Sequence, residues 1–292
     1  MIHTPQLCLG TVQFGLPYGI TNQAGQVPEA EVRRILHLAA ASGIDMLDSA
    51  QAYGIAEELL GRCWPKDAPR RLISKLPAGA PCQTWEASLN TTLQHLQAHK
   101  LNGFLLHRAS DLLSPDGAAL LDWLEDLRDR GLVERIGVSI YDASELEGLP
   151  LNRLQLVQLP LSVYDQRMIR DGTVRTLQDL GIAVHVRSVL LQGLLLQAPN
   201  HWPMHLSAAF RDQHAQWLQH VHQAGLSPLE GAFGFLRACK GLEAVLIGVQ
   251  SGQELVQVLQ AWRQAQGSPC ESANDWGWEN PVDLDPRRWP MR

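Results

Sequence analysis

PEAEVRRILHLAAASGIDMLDSAQAYG, residues 28–54, holds one round of a pattern that the rest of the chain repeats. Val32, Ile35, Leu36 and Ala39 recur at helical spacing, Pro28 suits an early helix turn, and Gly43 is well placed as the stop. The apolar run IDMLDSA follows as a strand that ends in a single acid, Asp48, with Tyr53 and Gly54 in the loop beyond it. Working outward, LCLGT, LISKL, GFLLHR, RIGVS, QLVQL, IAVHVRS and AVLIGV read as seven further strands. Between them IAEELLGRCW, TWEASLNTTLQHLQAH, AALLDWLEDLRDRG, ASELEGL, RMIRDGTVRTLQDLG and GQELVQVLQAWRQA read as helices, two of which close at Gly131 and Gly181 directly before a strand. Residues 200–224 and 228–240 are expected to add helices after the seventh strand, with QGLLLQAPNHW as the connecting loop.

Eight strands alternating with helices predict an α/β chain folded as a (β/α)8 TIM barrel. Parallel strands need crossovers, and both faces of the sheet are then buried. A flavodoxin-like or Rossmann sheet is the competing architecture, but no GxGxxG follows a strand and the polar residues follow many strands rather than one turn. One barrel is expected over residues 1–266. The remainder, 267–292, is a tail expected to pack on the barrel or to be partly flexible. It holds Trp276, Trp278 and Trp289, and three tryptophans are costly to leave in water.

Composition narrows the function classes. With 292 residues, 45% hydrophobic and 18% charged, the chain has material for a substantial core. A net charge of −6 without a basic run argues against nucleic acid as a partner. Cys8, Cys63, Cys82, Cys239 and Cys270 form neither a CxxC nor a disulfide framework, which fits a reducing cytoplasm. The N-terminus lacks a signal-peptide pattern and no segment reads as a membrane span, so no membrane partner is expected. No metal is expected either: His95 and His99 are helix neighbours, while His220 and His222 lack the spacing to share a face.

Four residues carry the chemistry. Asp48 ends the second strand, Tyr53 lies in its loop, Lys75 sits within LISKL, and His107 ends GFLL. Singly, each has an ordinary structural use: Asp48 as a cap, Tyr53 as rim packing, Lys75 as a snorkelling stem, His107 as a loop hydrogen-bonding group. Together, at successive strand ends, they make a proton-donating site. A free tyrosine has a pKa of about 10. The Lys75 ammonium would favour the phenolate, Asp48 would hold that ammonium, and His107 would orient a carbonyl whose oxygen becomes anionic as hydride arrives. None of the four can supply hydride, so a dihydronicotinamide is the implied cofactor.

These landmarks resemble the aldo-keto reductase family over residues 7–262 or so. Its D-[ST]-A-x-x-Y-G segment matches Asp48-Ser49-Ala50-Gln51-Ala52-Tyr53-Gly54, its strand-end lysine falls on Lys75, and its histidine on His107. The resemblance implies a barrel that reduces aldehydes or ketones with NADP(H), less often NAD(H), on a small-molecule carbonyl substrate. Gly10, Thr11 and Gln13 would then lie near the nicotinamide, together with Asp48, Ser139 of the G-V-S motif and Gln158. After the seventh strand it implies contacts from Arg187, Ser188, Leu190 and Gly193, and after the eighth from Gly248, Gln250, Ser251, Glu254 and Leu255.

The chain departs from the family in places. Ile140 stands for an asparagine, Leu161-Ser162 for a Y-N pair, Arg187 for a ring-stacking tyrosine, Gln250 for a phosphate-reading arginine and Val258 for an asparagine. Arg187 is read either as stacking over the nicotinamide or as pairing with a mouth carboxylate. Without the arginine the choice between NADP and NAD is open, with family habit on the side of NADP. Phe14, Tyr18, Trp85 and the loop after His107 are candidate pocket walls, with the tail closing over them. Asn22, Arg108, Asp111, Tyr141 and Asp142 add polar contacts that suit a hydroxylated or sugar-like carbonyl. An epimerase or lyase that retains its cofactor, a noncatalytic dinucleotide-sensing subunit, and a Schiff-base aldolase using Lys75 are the competing readings.

Overall fold

Short apolar runs become parallel strands here because each is covered on one face by helices and on the other by the barrel's own interior. The computed structural model describes residues 4–265 and 276–289. Strands β1 (Gln6–Gly10), β2 (Met46–Asp48), β3 (Arg71–Leu76), β4 (Gly103–Leu106), β5 (Ile136–Ser139), β6 (Leu156–Pro160), β7 (Ala183–Arg187) and β8 (Ala244–Ile247) pair in chain order. β8 pairs in parallel with β1 and closes the barrel. The expected (β/α)8 TIM barrel is the observed fold.

Helices Glu29–Ala41, Ala56–Cys63, Trp85–His95 and Gly117–Asp129 make the first four crossovers. Val32, Ile35, Leu36 and Ala39 are all buried against the sheet, as their spacing requires. Two crossovers differ from expectation. ASELEGL does not form an α-helix: residues between β5 and β6 make two 3₁₀ turns, Ala143–Leu146 and Leu151–Arg153. The Asp142 carboxylate accepts from the Ser144 amide and tightens the first turn, and Pro150 lacks the N–H that a continuing helix needs. RMIRDGTVRTLQDLG splits into Arg167–Arg170 and Thr173–Asp179, because Gly172 takes a left-handed φ of 85° between them. Helices Ala208–Gln223 and Pro228–Ala238 precede β8, and Gly252–Gln264 follows it.

Strand register sorts the two faces. Cys8 lies beside Met46, Ile73 beside Gly103, and Gly137 beside Leu156, so these residues point into the barrel. Cys8, Met46, Ile73, Leu105, Leu156 and Leu246 form an apolar plug across the interior. Two residues further along their strands come Asp48, Lys75 and Gln158, on the same inward face but one layer nearer the C-terminal mouth.

The tail packs along the outside of the barrel. Trp278 stacks on Phe210 at 5.0 Å, and its indole N–H donates to Asp283 at 3.0 Å. Trp276 lies beside His220 and Trp289 beside His205. Residues 266–275, including Cys270, lie outside the described part. Among the described residues the cysteines Cys8, Cys63, Cys82 and Cys239 are free thiols, and no helix is long and apolar enough to cross a membrane.

Candidate active site

The plug of apolar side chains sets the floor on which the polar layer rests. Lys75 is buried, with 1% of its surface exposed, and its ammonium donates to Asp48 Oδ1 at 2.6 Å and to the Ser49 carbonyl at 3.0 Å. Asp48 Oδ2 accepts from Gln158 Nε2 at 2.8 Å, so β2, β3 and β6 are joined beneath the mouth. Thr11 Oγ1, at the end of β1, lies 3.0 Å from the Asp48 carbonyl and 2.9 Å from Ser49 Oγ.

Tyr53 reaches this layer from its loop. The Lys75 ammonium lies 5.4 Å from the tyrosine ring centroid, and the His107 ring meets it edge-on at 5.9 Å. The loop's position depends on a backbone approach that no side chain would permit. A Cβ on Gly15 would fall 1.7 Å from the Tyr53 carbonyl, and Gly54, at φ 57°, has its own Cβ position 2.6 Å from the Gly15 carbonyl. The fold therefore brings Asp48, Tyr53, Lys75 and His107 together at one place.

Burial sets their protonation states. It raises the Tyr53 phenol above its ordinary value, and the neighbouring Lys75 ammonium offsets this only in part. The expected lowering is thus a component and not the net result; the phenol stays protonated at neutral pH. For Lys75, burial disfavours the ammonium, but the charge of Asp48 and its hydrogen bond win and raise the pKa. His107 is pushed down to about 4 by burial, with the Lys75 and Arg187 charges adding to it. Its imidazole is neutral across the physiological range, with one N–H to donate.

A cleft of about 820 Å³ opens above these groups. Gly10, Thr11, Gln13, Asp48, Tyr53, His107, Ser139, Gln158, Arg187, Ser188, Leu190, Gly193, Gly248, Gln250 and Glu254 all line it, while Lys75 lies just beneath. Two expected contacts do not. Leu255 is fully buried on the inner face of helix Gly252–Gln264, and Ser251 is occupied as that helix's N-cap, accepting from the Glu254 amide at 3.1 Å. Both placements have the same cause: a helix that begins here needs an apolar inner residue and a cap.

Several proposed pocket walls lie elsewhere. Phe14 and Trp85 are buried core residues. Asn22 bonds within its own turn, and Arg108 pairs with Asp111. Asp142 pairs with Arg167 at 2.9 Å. None of these lines the cleft, nor do the tail's tryptophans; Tyr18 and Tyr141 do. Arg187 has no carboxylate partner at ion-pair distance among the described residues; its guanidinium stacks on Tyr141 and donates to the Ile140 carbonyl at 2.8 Å.

Sequence reading missed Gln192 and Thr21. The loop after β7 runs through left-handed backbone at Ser188 (φ 58°), Leu191 (47°) and Gln192 (55°). It is held there by Gln192 Oε1, which accepts from the Ile20 amide at 2.9 Å, and by Thr21, which donates to the Gln192 carbonyl at 2.9 Å. Backbone strain of this kind gathers where a loop must hold a ligand-facing shape. The only trace in sequence is the Gln192-Gly193 pair, a turn signal that does not distinguish a strained cleft wall from a plain loop.

Solved structures of similar fold include an aldo-keto reductase from Bacillus halodurans (holo form), with a TM-score of 0.75 and 19% identity over 97% of this chain and 95% of that one. A thermostable aldo-keto reductase bound to the inhibitor epalrestat gives 0.72 at 21% identity, over 94% and 95%. An aldo-keto reductase from Klebsiella pneumoniae in complex with NADPH gives 0.69 at 17% identity, over 97% and 95%. No curated protein matches the chain. The Aldo/keto reductase family model matches residues 6–271, nearly the whole chain, and with it the protein is assigned: it belongs to the aldo/keto reductase family.

Proposed function

We propose that this chain reduces an aldehyde or ketone with a nicotinamide dinucleotide, Tyr53 giving the proton. The observation that carries this reading is the buried Lys75–Asp48 pair, 2.6 Å apart, directly beneath a protonated Tyr53 and beside a neutral His107. A Schiff-base role for Lys75 is disfavoured by the same pair, because an imine-forming amine must be neutral and Asp48 keeps this one charged.

The cleft fits the nicotinamide end of such a cofactor. Gln158 spends its amide N–H on Asp48, and among the described residues its buried Oε1 has no partner, nor has Gln13 Oε1. The Gln158 acceptor, next to Ser139 across the β5–β6 register, suits the NH₂ of a carboxamide, while Gln13 faces the cleft from beside Gly248. A bound dihydronicotinamide supplies the hydride that these side chains lack. His107 donates to the carbonyl oxygen and fixes its direction. Tyr53 protonates that oxygen as its charge grows. Lys75, held by Asp48, stabilises the phenolate left behind.

At the far end, helix Gly252–Gln264 starts against carboxylates. The Gly252 amide donates to Glu31 and the Gln250 amide to Glu254, each at 2.7 Å. Those are the donors that a 2′-phosphate would use, and two acids there favour a ribose hydroxyl over a phosphate. Family habit favours NADP(H); these residues favour NAD(H). Tyr18, Tyr141, His107 and Gln192 make the substrate wall polar, which suits a hydroxylated carbonyl compound.

Parallel tryptophan-fluorescence titrations with NADPH and NADH, followed by consumption assays on an aldehyde panel, test this reading. Saturable binding and turnover that disappears in Tyr53→Phe are expected. Binding without net consumption would point to a retained cofactor, and failure to bind either dinucleotide would sink the proposal.

A further inference from the structure

Tyr141 lies between two guanidinium groups. Arg187 Cζ and Arg287 Cζ are each 3.8 Å from its ring centroid. Two guanidinium carbons at that distance over one ring occupy opposite faces, since on one face they would overlap. The two cations are not treated alike. Arg287 pairs with Asp285 at 2.8 Å and with Glu145 at 3.1 Å, so its charge is neutralised. Arg187, among the described residues, has a carbonyl, a hydroxyl and the ring, but no carboxylate at ion-pair distance.

A half-buried guanidinium left without an acid is costly unless an anion completes it. Arg187 also faces the reacting groups: it shares the cleft wall with Tyr53, His107 and Tyr141. Its charge reaches both Tyr53 and His107: it opposes the burial that raises the Tyr53 phenol and adds to the burial that lowers His107. Its stack on Tyr141 and its hydrogen bond to the Ile140 carbonyl fix the guanidinium on the cleft wall, within electrostatic reach of Tyr53 and His107 and so on the side of the reacting groups. The stack explains how it is held: the C-terminal segment brings Arg287 onto one face of Tyr141, and Tyr141 presents its other face to Arg187.

Building on the carbonyl-reduction reading, we propose that Arg187 binds a carboxylate of the substrate, with Tyr141 and Arg287 as positioning residues, so that the physiological carbonyl compound is anionic. The planar fork of a guanidinium matches a carboxylate in two parallel hydrogen bonds.

The test pairs 4-carboxybenzaldehyde with benzaldehyde, which differ only in the anion. In the wild type, kcat/KM is expected to favour the carboxylated aldehyde about 10- to 100-fold, chiefly through KM and less so at high salt. Arg187→Gln is expected to bring that ratio close to unity. Arg287→Ala should lower it several-fold, with recovery in Arg287→Lys, which keeps a cation over the ring. A ratio near unity in the wild type would overturn the proposal. So would an Arg187→Gln variant that keeps the ratio but loses affinity for NADH and NADPH, because the guanidinium then serves the cofactor. Benzoate binding by titration calorimetry separates this from the parent reading. If neither aldehyde is reduced, carbonyl reduction fails, yet benzoate should still bind the wild type about tenfold or more tightly than Arg187→Gln. Equal benzoate affinity would overturn the proposal by itself.

Discussion

The barrel's two ends are both lined with charge, and they use it differently. At the N-terminal end, Arg71 forks onto Asp45, Arg135 sits 2.8 Å from Glu243, His185 shares that carboxylate at 2.9 Å, and Lys100 meets Glu134 at 2.6 Å. Each of these donors has its acceptor; His185 gives its Nε2 proton to Glu243, which leaves Nδ1 as an acceptor without a partner among the described residues. At the C-terminal end the Lys75–Asp48 pair is buried, while among the described residues Gln158 Oε1 and Gln13 Oε1 lack partners and Arg187 lacks an acid. A satisfied end contributes to stability; an end with unspent hydrogen-bonding capacity is one that a ligand completes.

The largest effect expected from breaking this contrast is at the mouth. Tyr53→Phe keeps the ring but removes the acid, and kcat should fall about 10²- to 10⁴-fold with the melting temperature little changed. Steady-state rates near those of the wild type would remove Tyr53 from the mechanism. Next comes the cofactor's distal end. Gln250→Arg should raise affinity for NADPH relative to NADH about tenfold, as one charge-assisted pair to a phosphate implies, read by parallel fluorescence titrations. An unchanged ratio would put residue 250 away from the 2′ position.

At the opposite end, Glu243→Gln should spare catalysis and cost about 1–2 kcal/mol of stability, because Arg135 and the buried His185 lose their shared carboxylate. Chemical denaturation beside kcat/KM checks this, and a variant of normal stability but altered turnover would erase the distinction between the ends.

The remaining contrast is in the pH dependence of stability. His107 and His214 are both held down to about 4 by burial, whereas an unfolded histidine titrates near 6.5. Below pH 6.5 the unfolded chain takes up protons that the folded one refuses. Stability should therefore be fully present above about 6.5 and fall progressively toward pH 4, which thermal melts across that range would register. Melting temperatures flat between pH 6.5 and 4 would show that these imidazoles are not held neutral.

Much of the fold was legible because it repeats one local rule. Apolar runs of strand length, each followed by a helix with its own stop, leave few topologies open, and eight of them close. The catalytic-type quartet was legible for a related reason. Parallel strands in order deliver their last inward residues to one mouth, so Asp48, Lys75 and His107 converge from their positions alone, and Tyr53 follows from the loop motif. The ASELEGL segment shows the limit of local reading: its composition permits a helix, but Asp142 and Pro150 convert it into two tight turns.

What only the tertiary structure decided lies in contacts between loops far apart in the chain. Glu31 accepts from Gly252 across 221 positions, Gln192 accepts from Ile20 across 172, and Arg287 reaches Tyr141 from the far end of the chain. Such partners share no period and no register, so nothing local in the sequence announces them. The sequence by itself determined the barrel and the four residues at its mouth, since the strands and their last inward residues follow from a repeating hydrophobic pattern and Tyr53 from the motif of its loop. Which carboxylates take up the amides at the start of helix Gly252–Gln264, and that Arg187 has no acid among the described residues, was decided by how the loops pack, because burial and charge pairing exist only once distant segments meet.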